Sequence, residues 1–387
     1  MADLARRLAP YFPRSQSRDR VLAYLRGLLS EAECKNSWQV AEVCGKSTPY
    51  GFQSLLSRAD WDADAVRDEL RTYSMQHLGD RNGVLVLDET GFLKKGRHSA
   101  GVARQYRGTV GNVDHGPIGV FLSDASRLGH ALLDRELYLP QEWTDDRERC
   151  RQAGIPADRR FATKPQLAQQ MLARAFAAGV PATWVTGDSV YGDHRQLRRW
   201  LEAQPQAYVL AVSGKEYVGL GAQQRQVKTL LASLPVEGWT RLSAGDGAKG
   251  PRWYDWHWVS LADPVDPTWR RWLLVRRSRS APADLTAYGV FAPQPTTLEE
   301  VVRGAGSRWT VESSFEVAKG EVGLAQDAVR SWTAWYRHIT LAMWALALLT
   351  VMRAGTIAVE MLKKRLPSPT PASPLAAFKA RRGLTSR

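Results

Sequence analysis

The sequence predicts a mixed α/β fold, with a helical region before it and a β-rich insertion within it. Residues 1–78 carry apolar side chains at helical spacing, and residues 79–213 hold short continuous apolar runs that alternate with helical segments. Residues 214–300 hold short strand-like runs crowded with tryptophan. Three predicted strands in succession, then helix, strand, helix and strand, indicate a mixed sheet flanked by helices rather than a doubly wound one.

The helical region, residues 1–78, is predicted to form the first domain. Apolar residues recur at helical spacing in RVLAYLRGLLSEAE, and a Gly-Lys-Ser-Thr-Pro break separates two later helices from each other. A further helix is expected from Asp62. Helix-turn-helix packing docks onto DNA in many proteins, but it is also a common way to pack short helices. A DNA-binding domain and a packing or dimerisation module are both open interpretations.

The first part of the predicted core, residues 79–213, begins with the run Gly-Val-Leu-Val-Leu-Asp. Four consecutive apolar residues before Asp88 indicate a strand buried on both faces. Further strands are predicted at 118–124, 130–140, 183–193 and 207–213, and helices at 165–178 and in RQLRRWLEA.

The remainder of the chain divides into three predicted segments. Residues 214–300 are expected to form the β-rich insertion, in which WYDWHWVSL and RWLLVRR could pair as a hairpin. Helical periodicity returns near Thr297, and residues 301–353 are assigned to the second part of the core. Residues 354–387 hold seven basic residues against one acid and are expected to form a basic tail, either solvated or loosely bound to phosphates.

Composition restricts the class of protein. The chain has 387 residues, 53 Lys and Arg against 39 Asp and Glu, and a net charge of +14, which suits a polyanionic partner. Three widely spaced cysteines form neither a disulfide framework nor a CxxC metal motif, so a reducing cytoplasm is expected. The N-terminus lacks the apolar run of a signal peptide.

The apolar run of 14 residues at 339–352 is shorter than the roughly 20 that span a membrane, so a buried helix is expected.

Two acids follow apolar strands, Asp88 in VLVLDET and Asp188 in WVTGDSVYG. Ligands of open α/β sheets bind beyond the carboxyl ends of the strands, so neighbouring strands would bring these carboxylates together. Such a pair needs a cation or a shared proton, and oxygen ligands suit a hard ion such as Mg²⁺. The alternative is that one or both are ordinary turn or cap aspartates. Asp124, at another strand end, is a further candidate.

A third acid lies in SRWTVESSFEVAKGEVGL. At about 100° per helical residue, Arg308, Glu312 and Lys319 fall on one stripe, with Glu316 at its margin. This arrangement suits a metal-binding carboxylate flanked by cations that hold phosphates. The alternative is a solvated helix with ordinary Arg–Glu and Glu–Lys pairing.

Taken together, LDETGFLKKG, GVARQYRG, VTGDSVYGD and RWTVESSFEVAK resemble the DDE transposases of bacterial insertion sequences. The resemblance extends over roughly residues 83–353 and is closest to the group with a Tyr-x2-Arg-x3-Glu-x6-Lys signature. Arg308, Glu312 and Lys319 match that spacing, whereas the tyrosine position is Ala305. This departure concerns one DNA contact and leaves the metal site intact.

The resemblance implies an RNase H-like core in which Asp88, Asp188 and Glu312 are the catalytic metal ligands. It implies phosphodiester chemistry with Mg²⁺, in two ions for which Mn²⁺ could substitute: Asp88 bridges both, and the other acids each complete one shell. Water first cleaves the DNA, and the freed 3′-OH then attacks target DNA. Glu89 is expected to be structural, because adjacent residues of a strand point to opposite faces.

The function that follows is a DDE transposase that cuts and joins the ends of an insertion sequence. Double-stranded DNA at the element ends and at the target, and a second copy of the chain, are the expected partners, in the cytoplasm at the nucleoid. The candidate DNA-binding residues are Arg308, Lys319, Lys94, Lys95, Arg270, Arg271, Arg276 and Arg277. Two alternatives are an inactive or domesticated relative that only binds DNA, and a stand-alone RNase H-like nuclease.

Overall fold

A computed structural model describes residues 1–94, 96–107, 112–221, 223–247, 250–262, 266–326 and 328–365. The N-terminal region contains α1 (Ala2–Leu8), α2 (Ser15–Leu28), α3 (Ser37–Val43), α4 (Tyr50–Ser57) and α5 (Ala63–Leu78). The side chain of Asp62 accepts a hydrogen bond from the backbone N–H of Asp64 and caps α5, which confirms the helix start predicted there. The Gly-Lys-Ser-Thr-Pro break lies between α3 and α4, also as predicted.

The predicted strands and helices of the first part of the core are present in the predicted order, but the strand expected at 183–193 ends at Gly187 and is followed by a helical turn that caps on Asp188. This part of the core contains β1 (Val84–Gly91), β2 (Ala103–Arg107), β3 (Asn112–Gly116), β4 (Ile118–Ser126), β5 (Gly129–Tyr138), α6 (Gln141–Asp145), α7 (Arg147–Gln152), α8 (Lys164–Ala177), β6 (Trp184–Gly187), α9 (Ser189–Gly192), α10 (Arg195–Ala203) and β7 (Tyr208–Val212). The short hairpin β2–β3 was not predicted. It forms a two-stranded sheet of its own and has no continuous apolar run to reveal it.

The β-rich insertion contains β8 (Tyr217–Leu220), β9 (Gln223–Gln226), α11 (Val227–Ala232), β10 (Thr240–Gly247), β11 (Gly250–Ser260), β12 (Trp269–Arg277) and β13 (Leu285–Pro293). The predicted hairpin is confirmed, because β11 and β12 pair antiparallel from Asp255↔Arg277 to Ser260↔Trp272. Strand β13 pairs with β7, so the insertion extends the core sheet instead of forming a separate layer.

Nine strands of the described residues form one sheet in the order β10-β11-β12-β13-β7-β6-β1-β4-β5. Strand β1 runs parallel to β6, and β6 runs parallel to β7, whereas β4 and β13 are antiparallel to their neighbours. The sheet is therefore mixed, as predicted. The carboxyl ends of β1 and β6 lie at the same edge.

Helices cover both faces of this sheet, and alternate residues of β1 point to opposite sides. Val84 and Val86 belong to the core beneath the N-terminal helices, α12 (Leu298–Gly306), α13 (Trp309–Gly320) and α14 (Trp332–Arg365). Leu85 and Leu87 belong to the core beneath α8 and α10. Position 88 consequently faces the side of α13, and position 89 faces the side of α8.

The C-terminal part differs from the single helical stretch predicted to end near Arg353. Three helices replace it, and α14 continues to Arg365. The expected basic tail from Ala354 therefore begins as helix, and residues 366–387 lie outside the described residues. The segment Trp332–Thr356 is long and apolar enough to cross a membrane, but half of its most apolar window is buried. Residues such as Ile339 and Trp344 are fully buried in the core, which agrees with the buried helix expected from the sequence.

Buried ion pairs connect the N-terminal helices to the sheet. Arg67 on α5 lies 3.0 Å from the carboxylate of Asp134 on β5, and Arg174 on α8 binds the other oxygen of Asp134 at 2.8 Å. Arg174 also contacts Glu136 at 2.9 Å. Because Asp134 is almost fully buried, these contacts fix the helical region firmly against the β5 edge of the sheet.

Candidate active site

Asp88 and Asp188 are brought together by the pairing of their strands. In the parallel ladder of β1 and β6, Leu87 lies opposite Gly187, so the residues that follow are neighbours at the same sheet edge. Adjacent strands are about 4.8 Å apart, which places the two backbones within reach of a shared ligand. The juxtaposition expected from the two strand-end motifs is therefore present.

The Asp88 carboxylate is buried among other charges. Its Oδ1 accepts a hydrogen bond of 2.8 Å from the backbone N–H of Glu89, and its Oδ2 lies 3.6 Å from Nη1 of Arg308. Burial raises the pKa of Asp88 to about 7; Arg308 lowers it, while the charges of Glu89 and Asp188 raise it further. Asp88 is thus a carboxylate that a nearby cation would stabilise in its ionised form.

Asp188 ends β6 and begins the next helix. Its Oδ1 accepts a hydrogen bond of 2.9 Å from the backbone N–H of Val190, so this side chain also caps α9. Burial and the neighbouring charge of Glu89 raise the pKa of Asp188, and Arg308 and Lys164 oppose that rise. The cap role and a metal-binding role are compatible, because the cap uses one carboxylate oxygen.

Glu312 lies in the first turn of α13, and Arg308 occupies the position just before this helix, with no side-chain capping hydrogen bond. Nη2 of Arg308 lies 3.0 Å from Oε1 of Glu312, and the Glu312 side chain is 40% exposed. One guanidinium therefore contacts both Asp88 and Glu312. Glu316, at the margin of the predicted stripe, is exposed, whereas Phe315 packs into the core, so this side of α13 faces the sheet.

The donor chemistry of these three acids fits a hard divalent cation. In the described part of the chain, however, no group of three or more His, Cys, Asp or Glu side chains is arranged to hold a metal ion. Arg308, rather than a third carboxylate, contacts Asp88 from the side of α13. The three acids lie in the same region of the structure, but their carboxylate oxygens are not arranged around a single point.

Glu89 has partners on the opposite side of β1 from Asp88. Its carboxylate contacts Nζ of Lys164 at 2.6 Å and accepts a hydrogen bond of 2.6 Å from the hydroxyl of Tyr191. Sequence reasoning did not single out Lys164 or Tyr191. The only sequence signals for them are a lysine at the start of α8 and a tyrosine three residues after Asp188. Glu89, Lys164 and Tyr191 thus form a hydrogen-bonded group on the opposite face of β1 from Asp88.

The candidate DNA-binding residues near the acids have different surroundings. Nζ of Lys319 lies 3.4 Å from the backbone carbonyl oxygen of Gly91, so the end of α13 contacts the end of β1. Lys94 follows β1 and is half-buried, and its backbone N–H bonds to the carbonyl of His115. Lys95 lies outside the described residues.

The four arginines of β12 do not form one stripe. Alternation along the strand separates Arg270 and Arg276 from Arg271 and Arg277. Arg271 pairs with Glu202 at 2.6 Å, and Arg277 lies 3.3 Å from an Asp255 oxygen. Arg276 donates to the hydroxyl of a threonine and lies over the Tyr254 ring, and Arg270 donates to backbone carbonyls. The structure thus places these residues on two faces, each with intramolecular partners.

Comparison with known proteins indicates the family to which the chain belongs. A family model described as DDE superfamily endonuclease matches residues 7–229, which is more than half of the chain and includes Asp88 and Asp188. Over 305 residues the chain is 25% identical to the probable transposase for insertion sequence element IS701 of Microchaete diplosiphon, an alignment covering 77% of this chain and 73% of that protein. The family implies a nuclease-type enzyme that acts on DNA and, in general, uses a divalent metal. The chain therefore belongs to the DDE superfamily endonucleases.

Proposed function

We propose that this protein is the transposase of an insertion sequence and that it cuts and joins DNA with Mg²⁺ held by Asp88, Asp188 and Glu312. The observation that carries this proposal is the in-register meeting of Asp88 and Asp188 at one sheet edge, with Glu312 joined to Asp88 through Arg308. The similarity to a probable transposase over most of both chains supports the same conclusion.

The chemistry needs no nucleophilic side chain. Asp88, Asp188 and Glu312 would hold Mg²⁺, in two ions for which Mn²⁺ could substitute, and the bound metal would supply an activated water and stabilisation of the leaving 3′-oxygen. The protein's part is to hold and orient the carboxylates. The N–H of Glu89 fixes one oxygen of Asp88, and the N–H of Val190 fixes one oxygen of Asp188, so the second oxygen of each can bind a cation.

Cationic residues on the same helix suit the phosphates that flank the scissile bond. Arg308 and Lys319 lie at the two ends of α13, beside the Glu312 carboxylate and the end of β1. A guanidinium binds a phosphate through two parallel hydrogen bonds, which gives orientation as well as affinity. The net charge of +14 supports a DNA partner, and we propose that two copies of the chain assemble on the element ends, at the nucleoid in the cytoplasm.

We propose that the arginines of β12 make peripheral contacts with DNA. To do so, each arginine must exchange its present intramolecular partner for a DNA phosphate. Arg271 and Arg277 would have to leave Glu202 and Asp255 to reach a phosphate. Because those partners are only partly buried, such an exchange costs little free energy. Lys94 and Lys95 follow the strand of Asp88 and are proposed as contacts beside the cleaved end.

The test is cleavage of a linear duplex that carries the ends of the element, with Mg²⁺ and the full chain. Asp88→Ala, Asp188→Ala and Glu312→Ala are each expected to lower the cleavage rate at least about 100-fold, with DNA binding in a gel-shift assay unchanged. Glu316→Ala is the matched control, because it removes an exposed acid from the same helix and should keep most of the activity. Full cleavage by any of the three alanine variants contradicts the proposal, and loss of cleavage in Glu316→Ala would move the third ligand to Glu316.

A further inference from the structure

The guanidinium of Arg308 contacts two of the three proposed metal ligands. It lies 3.6 Å from Oδ2 of Asp88 and 3.0 Å from Oε1 of Glu312. A single positive group therefore bridges two of the carboxylates that the proposed function assigns to a divalent cation.

This position is incompatible with a bound metal ion. Mg²⁺ binds carboxylate oxygens at 2.0–2.1 Å in near-octahedral geometry, and Oδ2 of Asp88, which faces Arg308, is the oxygen that the backbone N–H of Glu89 does not hold. A guanidinium and a metal ion that share these oxygens also repel each other. The side chain of Arg308 must therefore move away before Asp88 and Glu312 can bind the same cation.

We propose that Arg308 stands in for the catalytic metal in the metal-free enzyme, binding Asp88 and Glu312 until a divalent cation displaces it. The inference rests on the proposed function and concerns the regulation of that same site. Displacement frees Arg308 to bind a DNA phosphate, which couples metal loading to DNA binding.

The local structure permits this exchange. Arg308 occupies the N-cap position of α13 without a side-chain capping hydrogen bond, so its side chain can rotate without breaking a backbone hydrogen bond of the helix. Its backbone is held in place: the N–H of Arg308 lies 3.5 Å from the carbonyl of Ala305, and Arg252 donates to the carbonyl of Gly306 at 3.0 Å. The Arg308 side chain is 25% exposed, which leaves it a path toward solvent and DNA.

The test measures binding of Mn²⁺ alone to the full chain by titration calorimetry, without DNA. Arg308→Gln removes the competing charge and is expected to bind Mn²⁺ about tenfold more tightly than the wild type, since a charge-assisted hydrogen bond is worth about that factor. Arg303→Gln is the matched control: it removes the same charge from an exposed position on α12 and should change the affinity less than about twofold.

A second measurement separates displacement from a structural role. Arg308→Gln should bind element-end DNA several-fold more weakly while it binds Mn²⁺ more tightly, whereas a misfolded variant would lose both. Arg308→Lys keeps the charge but cannot bridge two carboxylates, and we expect its Mn²⁺ affinity to lie between those of the wild type and Arg308→Gln. The pair of variants keeps the test valid even if one of them folds poorly.

The two proposals fail in different ways. Unchanged or weaker Mn²⁺ binding by Arg308→Gln and Arg308→Lys overturns the stand-in role; if cleavage still depends on Asp88, Asp188 and Glu312, the proposed function stands. Cleavage that is indifferent to all three acids overturns the proposed function instead.

Discussion

Replacing Asp124 with asparagine is expected to stabilise the protein at alkaline pH. Asp124 lies on β4 opposite Leu85 of β1, away from the edge where Asp88 lies, so it is not part of the candidate site. The side chain is 0% exposed, and neither carboxylate oxygen has a hydrogen-bond partner among the described residues. Folding therefore removes this charge from water without compensation.

The magnitude follows from the pKa of Asp124. Burial, and secondarily the charge of Asp80, raises that pKa from 3.8 to about 7. Arg127 does not compensate the charge of Asp124, because Arg127 pairs with Asp80 at 2.9 Å. Well below pH 4 the Asp124 carboxyl is neutral in both the folded and the unfolded chain, so its ionisation does not reduce the free energy of unfolding. As the pH rises from 4 to 7, the unfolded chain releases the proton first and stability is lost, reaching about 4 kcal/mol above pH 7 at 1.36 kcal/mol per pKa unit.

The assay is urea unfolding followed by tryptophan fluorescence at pH 4.5 and pH 8.5. Asp124→Asn resembles the neutral acid, so we expect a gain of about 1 kcal/mol at pH 4.5 and of about 4 kcal/mol at pH 8.5. Asp284→Asn, at an exposed turn, is the control and should change neither value by more than about 0.5 kcal/mol. If Asp124→Asn were no more stable than the wild type at pH 8.5, the buried carboxylate would have a compensating partner and the reasoning would be wrong.

Other substitutions test the packing that positions the site. Arg67→Met removes one of the two arginines that bind the buried Asp134, while Arg174 remains, and should cost about 2 kcal/mol in urea unfolding. Gly192→Ala would place its Cβ 1.8 Å from the carbonyl oxygen of Ala211, so α9 and β7 must separate; we expect little soluble protein, or a lower melting temperature by circular dichroism. Thr297→Ala removes the capping box of α12 and should cost about 1 kcal/mol, visible as a small fall in the urea midpoint.

The strands of the core could be predicted because burial on both faces leaves a continuous apolar run in the sequence. Val84–Leu87 is such a run, and β1 was found there. The hairpin β2–β3 has no such signal, because its residues are mostly polar. The joining of the insertion to the core sheet also escaped prediction. It depends on β13 pairing with β7, and local patterns do not encode contacts between strands about 80 residues apart.

The candidate site was predictable only in part for a similar reason. Asp88 and Asp188 each follow an apolar strand, which is a local signal, and Glu312 was found through its spacing from Arg308 and Lys319. The partners of Glu89 were missed because Lys164 and Tyr191 are 75 and 102 residues away in sequence. The separation of the β12 arginines onto two faces follows from the two-residue period of a strand and could have been predicted.

The position of the third acid depends on the insertion that precedes it in the chain. Arg252 on β11 donates to the carbonyls of Ala244 and Gly306 at 2.6 and 3.0 Å, and its guanidinium lies over the ring of Trp309. A Cβ at Gly306 would lie 2.1 Å from the Ala244 carbonyl oxygen, so only glycine allows this close packing of α12 on β10. Because the start of α13 is held by β10 and β11, any shift of these strands also moves Glu312. The insertion therefore supports the helix that carries the proposed third metal ligand.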